Sequence, residues 1–403
     1  MSVNHSTYLK RGTWAVAVMG LLLPTGVCEA GAKYRVVYAF DDQNGSDGAD
    51  PYASLIADKT GNLYGTTSVG GANGQGTVFE IAPDGTETVL YSFNDNSQND
   101  GADPDGALVR DRKGNLYGTT NVGGAGGTGT VFKLAPDGTE TVLHSFVDNG
   151  GSDGARPYAG LTQGASGMFY GTTTVGGAHG QGTVFVITAK GKETVVYSFN
   201  DNAENDGADP YGPLIMDNAG NLYGTTSVGG AHGQGTVFKI AADGTESVLY
   251  SFNDNSENDG ADPYAGLIMD KSGNLYGTTT VGGAHGQGTV FKVAPDGTET
   301  LLYSFNDNNA NDGADPYGNL LADSAGNLYG TTEVGGTDGG GTIFRLAPDG
   351  TETLLHSFQG LTDGAHPYAG LIEDRKADGK AYLLGTASCC GAGDGDTIFS
   401  IRK

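Results

Sequence analysis

Lys33-Tyr-Arg-Val-Val-Tyr-Ala-Phe40 reads as a β-strand that belongs to no unit before it. Its last residue opens a series. Phe40, Phe93, Phe146, Phe199, Phe252, Phe305 and Phe358 each close a Tyr/His-(Ser/Ala)-Phe segment, and they follow one another at 53 residues. An eighth member would fall past Lys403, so the repeat that ends near Thr397-Ile-Phe-Ser-Ile401 is one strand short. A leading strand without a unit and a final unit without a strand complete each other if the repeats form a ring. We expect residues 33–40 to pair beside 397–401.

The fifth unit shows what is being repeated. It reads Pro263-Tyr-Ala-Gly-Leu-Ile-Met-Asp270, Gly273-Asn-Leu-Tyr-Gly-Thr-Thr279, Gly288-Thr-Val-Phe-Lys-Val293 and Thr298-Glu-Thr-Leu-Leu-Tyr-Ser-Phe305. Short runs of Val, Ile, Leu, Tyr, Phe and Thr bounded by Gly, Pro, Asn and Asp are strand composition, and no 3.6-residue apolar period survives. Asp-x-x-Gly-Asn between the first two segments predicts a turn in which the Asp side chain takes nearby backbone amides. Pro295-Asp-Gly-Thr298 predicts a tight turn between the last two. The other two connections, 280–288 and 306–315, are long. Four short antiparallel strands per unit of this length are the mark of a β-propeller blade. Starting prolines at 51, 104, 157, 210, 263, 316 and 367 count seven blades. An open solenoid would use shorter coils and capped ends. The expected fold class is all-β: a seven-bladed β-propeller over residues 33–403, with 33–40 as the outer strand of blade 7. If the proline-led strand is innermost, both long loops of every blade lie on one face, and recognition belongs there.

The chain has 403 residues, 71 of them Gly, and a formal net charge of −26. Such acidity argues against nucleic acid and anionic membranes, which need basic patches. Residues 1–32 stand outside the propeller. Lys10 and Arg11 precede the apolar run Trp14–Leu23, and Ala30-Gly-Ala32 offers small residues at cleavage spacing. That is the pattern of a secretory signal peptide, whose apolar run is too short to span a bilayer. Cys28 follows Thr25-Gly-Val27 and lacks the small residue a lipidated cysteine wants. We expect a secreted, periplasmic or cell-surface monomer with no transmembrane segment after signal removal.

Gly-Asn-Leu-Tyr-Gly-Thr-Thr recurs at 61–67, 114–120, 220–226, 273–279 and 326–332, and Gly-Thr-(Val/Ile)-Phe and Pro-Asp-Gly-Thr-Glu are further motifs of the repeat. Across essentially the whole mature chain this resembles the GloVer-type tandem repeats of secreted bacterial proteins. The resemblance implies a secreted repeat protein of unassigned biochemistry, and it hands over no catalytic residue. The blade order is also similar to that of NHL and kelch propellers, although neither motif is fully present.

Two rings of residues follow from the blade geometry. The residues before the prolines, Asp50, Asp103, Arg156, Asp209, Asp262, Asp315 and His366, are expected around the channel mouth. Their five carboxylates (Asp50, Asp103, Asp209, Asp262, Asp315) are candidate calcium ligands, because hard cations take six to eight oxygens. The competing reading is a good Asp-Pro turn with solvated side chains. The residues after the prolines are Tyr52, Asp105, Tyr158, Tyr211, Tyr264, Tyr317 and Tyr368. Tyrosines beside carboxylates suit sugars, or they pack between blades. Runs such as Asn255–Gly260 partly match a calcium loop. Cys389 and Cys390 are candidates for a vicinal disulfide, in the blade that departs most from the consensus.

No nucleophile elbow, metalloprotease helix motif or phosphate loop is present. The expected function is a non-enzymatic binding propeller using an acidic long-loop face, with a glycan or a cation such as calcium as ligand and a protein partner next. One alternative is a polysaccharide hydrolase or lyase at the channel mouth; another is a structural cell-surface repeat.

Overall fold

The computed structural model describes residues 34–403 apart from 42–45, 96–99, 149–152, 165–166, 202–205, 254–258, 308–311, 361, 376–378 and 392–394. The expected signal segment and most of the calcium-loop runs lie outside the described residues. Seven four-stranded antiparallel sheets follow one another along the chain. In blade 5 the order is Ile268–Met269, Leu275–Thr279, Thr289–Val293 and Glu299–Ser304, each paired with the next. The innermost strand is shorter than its sequence suggests, because only two residues join the ladder. Pro263 has no N–H to give, and Tyr264-Ala-Gly266 runs along the channel instead.

Blade 7 is assembled from both ends of the described chain. Tyr34–Ala39 pairs antiparallel with Thr397–Arg402, from Tyr34 opposite Ile401 to Ala39 opposite Thr397, with a bulge between Val36 and Tyr38. The phenylalanine series explains why the junction holds. Each of the seven is at most 2% exposed and packs edge-on against a phenylalanine in the third strand of the next blade. The pairs run from Phe40 with Phe79 to Phe358 with Phe399, with ring centroids 5.0–5.3 Å apart. The junctions on either side of blade 7 have the same construction as the others. The Gly of Leu-Tyr-Gly-Thr-Thr makes room for these rings, since a Cβ on Gly277 would stand 2.6 Å from Phe291 Cζ. The second Thr is also specified: Thr279 and Thr289 hydroxyls meet at 2.8 Å in a buried cross-strand pair.

The predicted Asx turn is present. Asp270 accepts from the Ser272 and Asn274 amides and from the Asn274 side chain. In blade 6, burial alone would raise the Asp323 carboxyl, but bonds from Asn327, its amide and the Tyr329 hydroxyl outweigh this and hold it at about 2. The long loops are tied together more than expected. In blades 2 to 7 the residues before the proline form a small ribbon with those after the second strand, as Gly260–Ala261 does with Val281–Gly282. Blade 1 keeps a single bridge, Ala49 to Val69.

Two outcomes follow for stability. Removing residues 33–40 leaves Thr397–Arg402 as a bare edge, so this truncation melts well below one lacking only 1–32; equal melting temperatures would contradict closure. Phe252→Ala loses about 3–5 kcal/mol in denaturant titration, as large-to-small core changes do, and Phe40→Ala loses a similar amount because its junction is equivalent.

Candidate functional site

Seven residues sit at positive φ immediately before a proline. They are Asp50, Asp103, Arg156, Asp209, Asp262, Asp315 and His366, at φ 53–58°. Non-glycine residues enter this left-handed region rarely, with Asp, Asn and His enriched, which accounts for five aspartates and one histidine. The conformation is held by bonds between blades. The N–H of Asp262 donates to Gln234 O of blade 4 at 3.1 Å, and its C=O accepts from the Thr280 amide at 3.2 Å and hydroxyl at 3.0 Å. Blade 7 meets blade 1 through the Asp50 N–H, which donates to the Asp396 carboxylate. These residues are therefore backbone clips between neighbouring blades.

The side chains of this ring stand apart. Burial raises the carboxyls of Asp50, Asp103, Asp209 and Asp315, and the charges that add to this for the last three belong to their own surroundings: Asp95, Asp201, and Glu333 with Asp307. Among the described residues, no three of the five aspartates bring carboxylate oxygens within 4.8 Å of one another.

The residues after the prolines come together. Tyr158, Tyr211, Tyr264, Tyr317, Tyr368 and Tyr52 form a chain of ring contacts with centroids 4.9–5.5 Å apart. They line a cavity of about 120 Å³ on the channel axis, with Ala, Gly and Ser backbone between them. Asp105 occupies the seventh place, between Tyr52 and Tyr158. Burial pushes its carboxyl up to about 7; a hydrogen bond from Asn121 Nδ2 opposes this, and the charges of Asp103 and Asp50 add to it. Desolvation also raises the tyrosine hydroxyls, Tyr317 to about 12.

One member of this site was not singled out in the sequence. Glu333 replaces the hydroxyl residue that follows the Thr-Thr pair in most blades. It accepts a hydrogen bond from Tyr368 Oη, and its Oε1 lies 3.9 Å from His366 Nδ1. The signal available was the break in the series Ser68, Asn121, Thr174, Ser227, Thr280, Glu333. Blades 2 and 6 are three apart in the ring, so Asp105, which lines the cavity, stands across it from Tyr368, the lining residue that Glu333 holds. Cys389 and Cys390 are joined as a vicinal disulfide in the short strand Cys389–Gly391, which pairs with Asp363–Ala365 behind His366.

The sequence profile of the Gloeobacter/Verrucomicrobia repeat matches residues 26–205 and 201–399. The chain belongs to this family. No curated protein matches it in sequence. Among solved structures, a candidate 6-phosphogluconolactonase from Bacteroides uniformis is 17% identical, with a TM-score of 0.50 over 86% of this chain and 91% of that one. A fungal alcohol oxidase of the AA5 family in complex with copper is 16% identical, with a TM-score of 0.54 over 89% of this chain and 75% of that one. At these identities the likeness is one of fold.

The Gloeobacter/Verrucomicrobia repeat also builds a second constellation, in the crevice between consecutive outer strands. At five junctions a tyrosine hydroxyl donates to an aspartate of the following loop at 2.7–2.9 Å, as Tyr197 does to Asp206. A glutamate from the next outer strand stands beside each pair. Burial pushes Glu87, Glu140, Glu246, Glu299 and Glu352 up to about 7, and the neighbouring aspartate charge adds to it.

An acid whose folded pKa exceeds its unfolded value contributes stability that is full below the unfolded pKa and is lost as pH rises through the folded one. Melting temperature therefore falls as pH rises from about 4.5 to about 7. Glu246→Gln flattens part of that slope; a wild-type melt unchanged across this range would contradict it. Below about 4 the depressed Asx-turn aspartates act in the opposite sense.

Proposed function

We propose that this propeller is a glycan-binding protein that receives the end of a saccharide chain in its tyrosine-ringed channel mouth. The observation that carries this reading is the continuous ring of six tyrosines completed by Asp105. Aromatic side chains offer an apolar body together with a hydroxyl. The carboxyl groups of Asp105 and Glu333 and the amide of Asn121 add directional partners for sugar hydroxyls. Short polar groups among aromatics are what a small-molecule site needs for orientation. The ring's repeated backbone clips position the tyrosines rigidly, which lowers the ordering cost of binding. Secretion, expected from the first 32 residues, would place the protein where free and surface glycans occur.

One observation favours a second reading. Asp105 holds its proton near neutrality, whereas Glu333 lies across the channel beside His366 and Tyr368. Two carboxyls in different environments can divide acid and base roles, so a polysaccharide hydrolase or lyase is the alternative.

Glycan-array screening of the mature protein, followed by calorimetry on the best ligand, tests both. Binding without new reducing ends or unsaturated products supports the lectin-like reading. Tyr211→Ala with Tyr264→Ala then weakens affinity by about 10-fold or more, in keeping with one to two kcal/mol for lost aromatic contact, while Asp105→Asn retains turnover-free binding. Turnover that Asp105→Asn abolishes would establish the enzyme instead. A blank array and no turnover would remove both.

A further inference from the structure

Within the outer-strand constellation of tyrosine, aspartate and glutamate, the blade 2–blade 3 junction departs from its neighbours in one residue. Where five junctions carry tyrosine, it carries His144, whose Nε2 lies 3.2 Å from each oxygen of Asp153. Glu193 comes from the next outer strand, and one ligand atom from each of His144, Asp153 and Glu193 lies within 4.8 Å of the other two. No other group of three His, Cys, Asp or Glu side chains among the described residues meets that condition. The Glu193 Oε1 atom is sealed from solvent without a hydrogen-bond partner, as are Glu87, Glu140 and Glu246 Oε1 at sister junctions, but among the described residues only Glu193 has an imidazole and a second carboxylate grouped with it. The Asp153 carboxylate is fixed by the Val147 and Gly154 amides at 3.1 and 2.9 Å, the kind of outer support that orients metal ligands.

We propose that His144, Asp153 and Glu193 form a site for a first-row divalent cation, zinc above all, that clips blade 2 to blade 3. One imidazole nitrogen and two carboxylate oxygens are zinc ligands at about 2.0–2.2 Å, and tetrahedral geometry then sets ligand atoms about 3.3 Å apart. The His144–Asp153 spacing of 3.2 Å already has this value, and Glu193, within 4.8 Å of both, completes the set by a small side-chain adjustment. Binding uses the neutral imidazole and the ionised carboxylates, so any proton these three groups hold passes to buffer as the ion enters. Water or a further ligand takes the fourth position. The cation relieves the repulsion between these two half-buried carboxylates.

The sister junctions show why the site is confined to this place. Tyr197 and its equivalents present a hydroxyl already committed to aspartate and no nitrogen lone pair. Blades 6 and 7 have the histidine and the aspartate, with His356 Nε2 3.0 Å from Asp363. There Tyr34 stands in the glutamate's place, stacked on His356 at 3.9 Å, with its hydroxyl bonded to the Asp363 carbonyl. That pair lacks the third ligand. This inference does not depend on the glycan reading, because the crevice lies at the outer strands and not on the channel.

The test uses the full mature chain, stripped with chelator and titrated with zinc by calorimetry, with cobalt as a spectroscopic probe. We expect one saturable site, a melting temperature raised by several degrees on loading, and visible cobalt absorption. His144→Tyr installs the residue found at five equivalent junctions, so it is expected to fold, and it loses the site and the cobalt bands. Glu193→Gln weakens zinc at least 10-fold and covers the case in which His144→Tyr proves unstable. His356→Tyr leaves binding unchanged. Absence of a saturable site in the wild type, or equal stoichiometry and affinity in wild type and both junction variants, would overturn the proposal.

Discussion

The ladder between Tyr34–Ala39 and Thr397–Arg402 is the constraint on which the other features rest. A single blade buries its faces only against its neighbours, so a linear array would expose two apolar ends. Closure removes both ends and supplies blade 7 with the outer strand its own sequence lacks. The seven edge-to-face phenylalanine pairs then act at every junction, including the two that flank blade 7. Because the circle is complete, the inner segments converge on one axis, and only then do Tyr52 and Tyr368 meet.

Against this repeated frame, chemistry enters where a blade breaks the pattern. Asp105 stands where six blades place tyrosine. Glu333 stands in a series of small polar residues, and His144 stands where five junctions use a hydroxyl. Each substitution leaves the neighbouring ladder and core intact. The scaffold tolerates them because the affected side chains face the channel or a crevice, while the Phe, Gly and Thr positions that carry packing remain nearly invariant from blade to blade.

The period of the phenylalanines was legible because a buried ring must recur at each junction, and the Asx turn was legible because Asp-x-x-Gly-Asn has its own local chemistry. The inner strand was overestimated, since Pro263 and Gly266 remove ladder bonds in a segment that otherwise reads as apolar. Two-residue ribbons such as Gly260–Ala261 with Val281–Gly282 have no pattern of their own to detect. The contact of the tyrosines with one another depends on the channel radius, which no single repeat encodes. The approach of Glu193 to His144 depends on how far one outer strand leans over the next. The left-handed conformation of Asp262 left a trace, in the choice of Asp and His before proline, but that trace also fits a metal ligand or a plain turn.

That conformation separates two properties that are usually entangled. The clip between blades is made by main-chain atoms of Asp50, Asp103, Arg156, Asp209, Asp262, Asp315 and His366, so the clip does not itself dictate the side chain there. Arg156 demonstrates the latitude: a long cation occupies a place where five blades carry an acid, with the same φ and the same bonds. The rim can thus be recoded from acidic to basic, one blade at a time, without renegotiating the architecture beneath it. The repeat keeps one wheel while the charge on its rim varies from blade to blade.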